Sequence, residues 1–337
     1  MNRAILALAV LGGCGPSAPE LHVLTWPNYF AKDTIQAFEK GAGCRVVLDY
    51  MESSESLRAK LAGGGSGYDV VFPSDEAVPA LVAQGLLEKL DRAKLPGFGN
   101  ILPPFRGLPF DPENAYSIPY MWGTTGIAYL KDKVNPPPDS WEALWDPKLV
   151  NQMTMLDDGR EVFAAALRVT GADLRAPSSL EAIRKAEEKL LERKPKAYDS
   201  SPKAMLMEGD CWIAQCYNVD ALQTAAELGG KVGYVVPREG GTLWIDSLCI
   251  PRGAPRPDLA HRFIDYLLRP EVSAAITNEI LSANPNGAAR KLIRKEVLEN
   301  PLVFPPEEVL RRCAALPVLS PESKKALDAA WARLKAR

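Results

Sequence analysis

The sequence predicts an α/β protein folded as two lobes around a cleft. Three observations carry this. Strand and helix patterns alternate between residues 21 and 84 at a spacing that argues for a mostly parallel sheet covered by helices. A second α/β segment follows residue 150. Between the two lie extended segments, 117–130 and 243–250, placed where the chain would leave one layer and return to it. A length of 337 residues fits two domains better than one. Clefts of this kind, at the carboxyl ends of parallel strands, are where ligands bind.

The elements follow in order. Arg3, an apolar stretch at 4–11 and the small residues Gly12-Gly13 before Cys14 describe a secretory signal over 1–13. Leu11-Gly12-Gly13-Cys14 resembles the bacterial lipobox, in which the cysteine is lipidated, becomes the new N-terminus and anchors a soluble domain to a membrane. An ordinary cut nearby, with Cys14 incidental, is the other reading. Residues 14–20 are a Pro/Ser linker. Strands are expected at 21–25, 45–50 and 69–72, and helices at 33–40, 54–61 and 76–84. Gly63-Gly64-Gly65-Ser66-Gly67 ends a helix instead of opening one and lacks a following Gly-Lys-Ser/Thr, so it is a helix stop and not a phosphate loop. Residues 117–130 read as two extended pieces joined near Gly123. Then come strand 153–156, helices 160–169 and 180–192, strand 212–217, helix 221–228, strand 231–236 and the returning strand 243–250. Helices at 257–268, 270–278 and 321–335 complete the chain.

Composition excludes several classes. The chain is 47% apolar and 24% charged, ordinary for a soluble globular protein. A net charge of -2 leaves no basic surplus to neutralise phosphates, which argues against a nucleic-acid partner. No internal apolar run approaches the ~20 residues that span a bilayer. Beyond Cys14 five cysteines remain, at 44, 211, 216, 249 and 313. None has zinc-ligand spacing, and they read as small buried apolar residues, with Cys211 and Cys216 on opposite faces of one strand. No metal and no cofactor are expected.

Trp244 and Asp246 lie two apart in an expected strand and so share a face. An indole beside a carboxylate suits an organic ammonium ion: the ring face attracts the cation and the carboxylate accepts its N–H bonds. A core Trp with a strand-end Asp is the other reading, and these two residues alone favour it slightly. Trp26 and Tyr29 follow the first strand, where clefts form, or cover the lobe's edge. Ser74 follows the third strand in the same topological position and also reads as a helix N-cap. Asp158 and Glu161 have the spacing of a capping box, at a helix start that keeps carboxylates ionised. Tyr217 and Asp220 follow another strand, and Glu76 is ambiguous. The acids could form a hydrolytic carboxylate pair. However, His22 and His261 are isolated and no nucleophile or zinc-protease motif occurs, which disfavours an enzyme.

Taken together, several segments carry a resemblance. They are Trp26-Pro27-Asn28-Tyr29, Tyr68-Asp69-Val70-Val71-Phe72-Pro73-Ser74, 116–123, Arg160-Glu161-Val162-Phe163, 239–247, 267–272 and Asn284-Pro285-Asn286-Gly287. In this order the chain resembles the bacterial spermidine/putrescine-binding proteins of polyamine ABC transporters. The resemblance implies a hinged, two-lobed periplasmic-binding-protein fold of type II. With crossings at the two extended segments, the lobes are 21–124 with 246–298 and 125–245 with 299–337. It implies a polyamine ligand, an ABC permease as partner and a monomeric, non-enzymatic protein in the periplasm, touching the membrane only through its lipid. By position Trp26, Tyr29 and Trp244 match the family's aromatic wall, and Tyr217 stands where a Trp is usual. Ser74 matches a polar contact, Asp158, Glu161 and Asp246 match acids of spermidine-type members, and Asp220 matches an acid of putrescine-type members. Asn28 replaces an acid, Pro27 a small hydroxyl residue and Ser282 a cleft Tyr, while Glu76, near a position that separates the ligand types, would restore charge if it points inward. Another amino-containing ligand, a sensor feeding a membrane receptor and a carboxylate hydrolase are the alternatives.

Overall fold

The computed structural model describes residues 18–63, 67–174 and 179–337. The signal, the lipobox reading of Cys14 and most of the glycine run lie outside the described residues.

The first lobe is built on three parallel strands in the order β2-β1-β3: β1 (Glu20–Thr25), β2 (Arg45–Tyr50) and β3 (Val70–Val71). Leu21, Val23 and Leu24 of β1 are fully buried, as expected for a strand covered on both faces. Helix α1 (Thr34–Ala42) stops at Gly43, whose φ of +67° only glycine adopts without cost. Helix α2 (Ser54–Ala62) starts from a reciprocal Ser53–Ser56 cap, and α3 (Ala77–Ala83) follows β3.

Residues 117–130 depart from the two-piece expectation. They form one strand, β4 (Ile118–Leu130), because its two halves have different partners. The first half pairs with β8 (Thr242–Leu248), from Ile118↔Leu248 to Thr125↔Thr242. The second half pairs with β6 (Ile213–Tyr217) and β7 (Val232–Val235). Gly123 is a packing requirement and not a break: a Cβ there would lie 2.3 Å from the Trp244 ring and 2.2 Å from Asn218 Oδ1. The second sheet runs β5-β6-β4-β7, with β8 also on β4 and β5 (Met153–Thr154) parallel to β6. All pairings of β4 are antiparallel, so the second sheet is mixed and only the first sheet is parallel throughout.

In the second lobe α4 (Gly159–Val169) and α5 (Leu180–Leu191) pack together, and α6 (Lys203–Glu208) and α7 (Asn218–Glu227) cover the β4–β7 side. Helices α8 (Pro257–Leu267) and α9 (Pro270–Ile280) return to the first lobe, where Phe263 meets Phe38 edge-on at 4.9 Å. Short α10 (Lys295–Leu298) and α11 (Glu307–Leu310) lead to α12 (Pro321–Lys335), which packs on α4 and α5. The five cysteines of the described chain are buried. Cys211 and Cys216 share one apolar cluster, contrary to the opposite-face expectation, because Cys211 precedes β6 and strand alternation does not govern it.

After crossing, β8 docks on the end of β3: Ser247 N–H donates to Pro73 O at 2.9 Å and Asp75 N–H to Ile245 O at 2.8 Å. The paired strands β4 and β8 therefore tie the two sheets together at the place where Trp244 and Asp246 sit. Among the described residues no helix is long and apolar enough to cross a membrane, and no group of three His, Cys, Asp or Glu gathers as a metal site.

Candidate functional site

Tyr29 reaches the site through a turn after β1 in which Asn28 holds a left-handed backbone, φ +56°. Asn tolerates this conformation better than most residues. Asn28 itself is exposed. The Tyr29 hydroxyl donates to Asp246 Oδ2, and the Tyr29 carbonyl accepts from the Tyr120 hydroxyl at 2.7 Å. Ser74 faces Asp246 across an isolated antiparallel bridge, and its hydroxyl lies 2.9 Å from that of Ser54. Burial pushes the Asp246 carboxyl up to about 7, against the opposing pull of the Tyr29 bond.

Trp244 settles between its two readings. On the crossing strand, it packs into the apolar cluster built around the first sheet, 9% exposed, and its indole also meets Tyr217, at the end of β6, edge-on at 6.2 Å and 84°. Its Nε1 is buried without a hydrogen-bond partner. Trp26 is half-buried and fixed by an indole N–H bond to Phe72 O at 3.0 Å. Burial pushes the Tyr217 hydroxyl well above its ordinary value, and the charges of Asp158, Glu161, Glu76 and Asp246 add to the effect. Asp220, in the first turn of α7, is pushed up to about 6 by burial, and its charge reaches Tyr29.

On the second lobe the expected capping box is half formed. Asp158 Oδ1 accepts from the N–H groups of Arg160 (2.9 Å) and Glu161 (3.2 Å). The Glu161 carboxylate does not reach back. It takes Thr125 Oγ1 at 3.0 Å on one oxygen and Thr242 Oγ1 at 2.8 Å on the other. Those threonines are cross-strand partners in β4 and β8, so Glu161 ties α4 to the crossing strands. Burial, reinforced by the Asp158 charge, pushes Glu161 up to about 8.

Glu76 points inward, yet it adds no free charge: Arg160 Nη1 lies 2.9 Å from its Oε2. Arg160 is held from behind by an Nη2 bond to Pro317 O at 2.6 Å. Burial and the Asp158 charge push Glu76 up to about 7, offset by Arg160. Ser282 is fully buried, with its hydroxyl unpartnered.

Sequence reading missed Thr125, Thr242, Arg160 and Asp75. Asp75 is buried, its carboxyl raised well above the usual range by burial, with Glu76 and Asp246 adding to the effect. Arg160 carried a signal, since it stands between two named acids. The threonines carried none, because their role depends on strand register.

The arrangement is a set of buried carboxylates interleaved with aromatic rings, with one guanidinium among them. It can hold a compact organic cation, and nothing in it prepares a nucleophile. Comparison with known proteins agrees. Residues 33–302 match the family described as bacterial extracellular solute-binding protein. The chain is 34% identical to a putrescine/cadaverine-binding protein of Pseudomonas aeruginosa, covering 100% of both chains. It is 34% identical to the spermidine/putrescine-binding periplasmic protein of Escherichia coli K12, over 91% of this chain and 89% of that one. Among solved structures, the TpPotD lipoprotein of Treponema pallidum superposes with a TM-score of 0.83 at 28% identity, covering 94% of this chain and 99% of the other. The two-lobed fold and the buried, non-catalytic site agree with these matches, and the chain belongs to the bacterial extracellular solute-binding proteins.

Proposed function

We propose that this protein captures a polyamine, of the putrescine or spermidine class, and delivers it to an ABC permease. The observation that carries the reading is the Tyr29–Asp246 contact at the meeting of the lobes, with Trp244 two residues away and packed on Tyr217. An ammonium end would take the Asp246 carboxylate, and the rings of Trp26, Tyr29, Tyr217 and Trp244 would wall the methylene chain. Ser74, Asn28, Asp158, Glu161 and Asp220 complete the proposed site. Relatives whose names carry putrescine, cadaverine or spermidine support the choice of ligand.

The buried carboxylates of Asp220, Asp246 and Glu161, pushed up to about 6, 7 and 8, share their site with protons near neutrality. An ammonium ion entering such a site displaces those protons and supplies the missing countercharge. Each desolvated cation–π contact contributes about 1–2 kcal/mol and each charge-assisted hydrogen bond about 1.5–3 kcal/mol. After ordering and desolvation costs, a few of each leave the ~8 kcal/mol of a micromolar binder.

The lobes in this reading are 21–124 with 246–298 and 125–245 with 299–337, hinged where β4 and β8 cross. Closure brings both walls onto the ligand, and the permease reads the closed form. The protein acts as a monomer outside the cytoplasmic membrane, anchored through lipid on Cys14. The lipoprotein character of the Treponema relative supports the anchor. Calorimetric titration tests the reading, using chain that begins after Cys14 and has been unfolded and refolded to strip bound amine. Saturable one-to-one binding of putrescine or spermidine is expected. A folded sample that gives no heat with either removes the polyamine reading.

A further inference from the structure

Glu76 and Arg160 belong to opposite lobes. Glu76 follows β3 and stands just before α3 without a side-chain capping bond, while Arg160 lies in the first turn of α4. Their side chains meet at 2.9 Å, and they are 16% and 20% exposed. Arg160 is not a swinging surface cation, since its second nitrogen is fixed on Pro317 O and its backbone N–H on Asp158. A guanidinium held at one end loses little further freedom on pairing. Glu76 is thus an inward carboxylate of the cluster that carries its own permanent cation.

We propose that Arg160 is a specificity-determining residue: by occupying Glu76 it acts as a built-in cation that limits how many ammonium groups the cleft accepts, favouring a diamine over a triamine. The proposal rests on the polyamine reading of the site. A ligand with two charges is served by the carboxylates outside this pair. A third charge directed at Glu76 must compete with Arg160 and break an interlobe ion pair whose two side chains are only 16% and 20% exposed. Sequence reading let Glu76 restore a charge to the cleft if it points inward; it points inward, and Arg160 answers that charge.

The test measures dissociation constants for putrescine and spermidine in the wild type, Arg160→Gln and Arg160→Lys. Wild type is expected to bind putrescine more tightly. Arg160→Gln frees Glu76 and is expected to move the ratio of the two constants at least tenfold toward spermidine, and Arg160→Lys to return most of that change. A structural role alone would weaken both amines together. A ratio constant within threefold in Arg160→Gln, or a wild type that prefers spermidine, overturns the proposal. Thermal melts of Glu76→Gln, Arg160→Gln and the double variant read the pair without any amine. Non-additive shifts in Tm are expected, and additive shifts overturn the pairing on which the proposal stands. If wild-type protein binds neither amine while the melts are non-additive, the polyamine reading fails and the ion pair stands.

Discussion

The two walls of the cleft use the same residue types in opposite ways. On the wall formed by the first lobe and the crossing strand, Asp246 gives one oxygen to the Tyr29 hydroxyl and keeps the other outside that bond. On the second-lobe wall, Glu161 has both oxygens engaged by Thr125 and Thr242, and across the gap Glu76 is engaged by Arg160. Asp158 lies between these cases, one oxygen serving two backbone amides of α4. A count of acids therefore overstates the charge on offer. What matters is which carboxylates the protein has already answered.

The largest effect that could break this comparison is expected from Trp244→Ala. The ring is core for one wall and partner of Tyr217 on the other, so its loss should cost about 3–5 kcal/mol of stability and also weaken amine binding. Denaturant titration and calorimetry on the same sample check both. An unchanged midpoint would mean that the ring is a cleft residue alone. Gly123→Ala attacks the same packing from the opposite strand and should destabilise by about 1–3 kcal/mol through overpacking against the indole.

Asp246→Asn compared with Glu161→Gln sharpens the contrast directly. Asp246→Asn should weaken diamine binding more than tenfold, about 1.4 kcal/mol or more, because a buried ammonium loses its counter-charge. Glu161→Gln should cost less, since an amide still accepts from one threonine and the group already favours its neutral form below about 8. The reverse order of the two affinities would show that the second wall is the principal anchor.

The smallest effect is a pH dependence. Asp246, Glu161 and Glu76 have folded-state values pushed up to about 7, 8 and 7, above ordinary carboxylates. The folded chain then binds more protons than the unfolded chain from about pH 4 upward, so stability without added amine should fall as pH rises toward 8. A cationic ligand favours the ionised groups, so the rise in Tm on adding putrescine should grow over the same range. Melts at pH 5, 6.5 and 8 with and without amine read both trends. A ligand-induced rise independent of pH would separate the carboxylates from the ligand.

Much of this was legible beforehand. The three parallel strands of the first lobe, with their helices, lie within a few residues of their expected places, because burial on both faces writes a local pattern. The adjacency of Trp244 and Asp246 followed from strand alternation, and Asp158 was legible as a cap. The continuity of β4 was not. Gly123 looks like a break in one dimension, and only pairing with β8 shows that it makes room for an indole.

By itself the sequence determined the α/β class, the two lobes and the supply of rings and carboxylates near the cleft. These depend on periodicity and on short motifs, which are properties of neighbours along the chain. The tertiary structure decided which charges remain open. Thr125 and Thr242 meet over Glu161 through the register of β4 and β8, and Arg160 reaches Glu76 because two lobes pack. Partners remote in sequence leave no spacing to read, and in a buried site it is the partner that fixes whether a carboxylate is bound to the protein or available to a ligand.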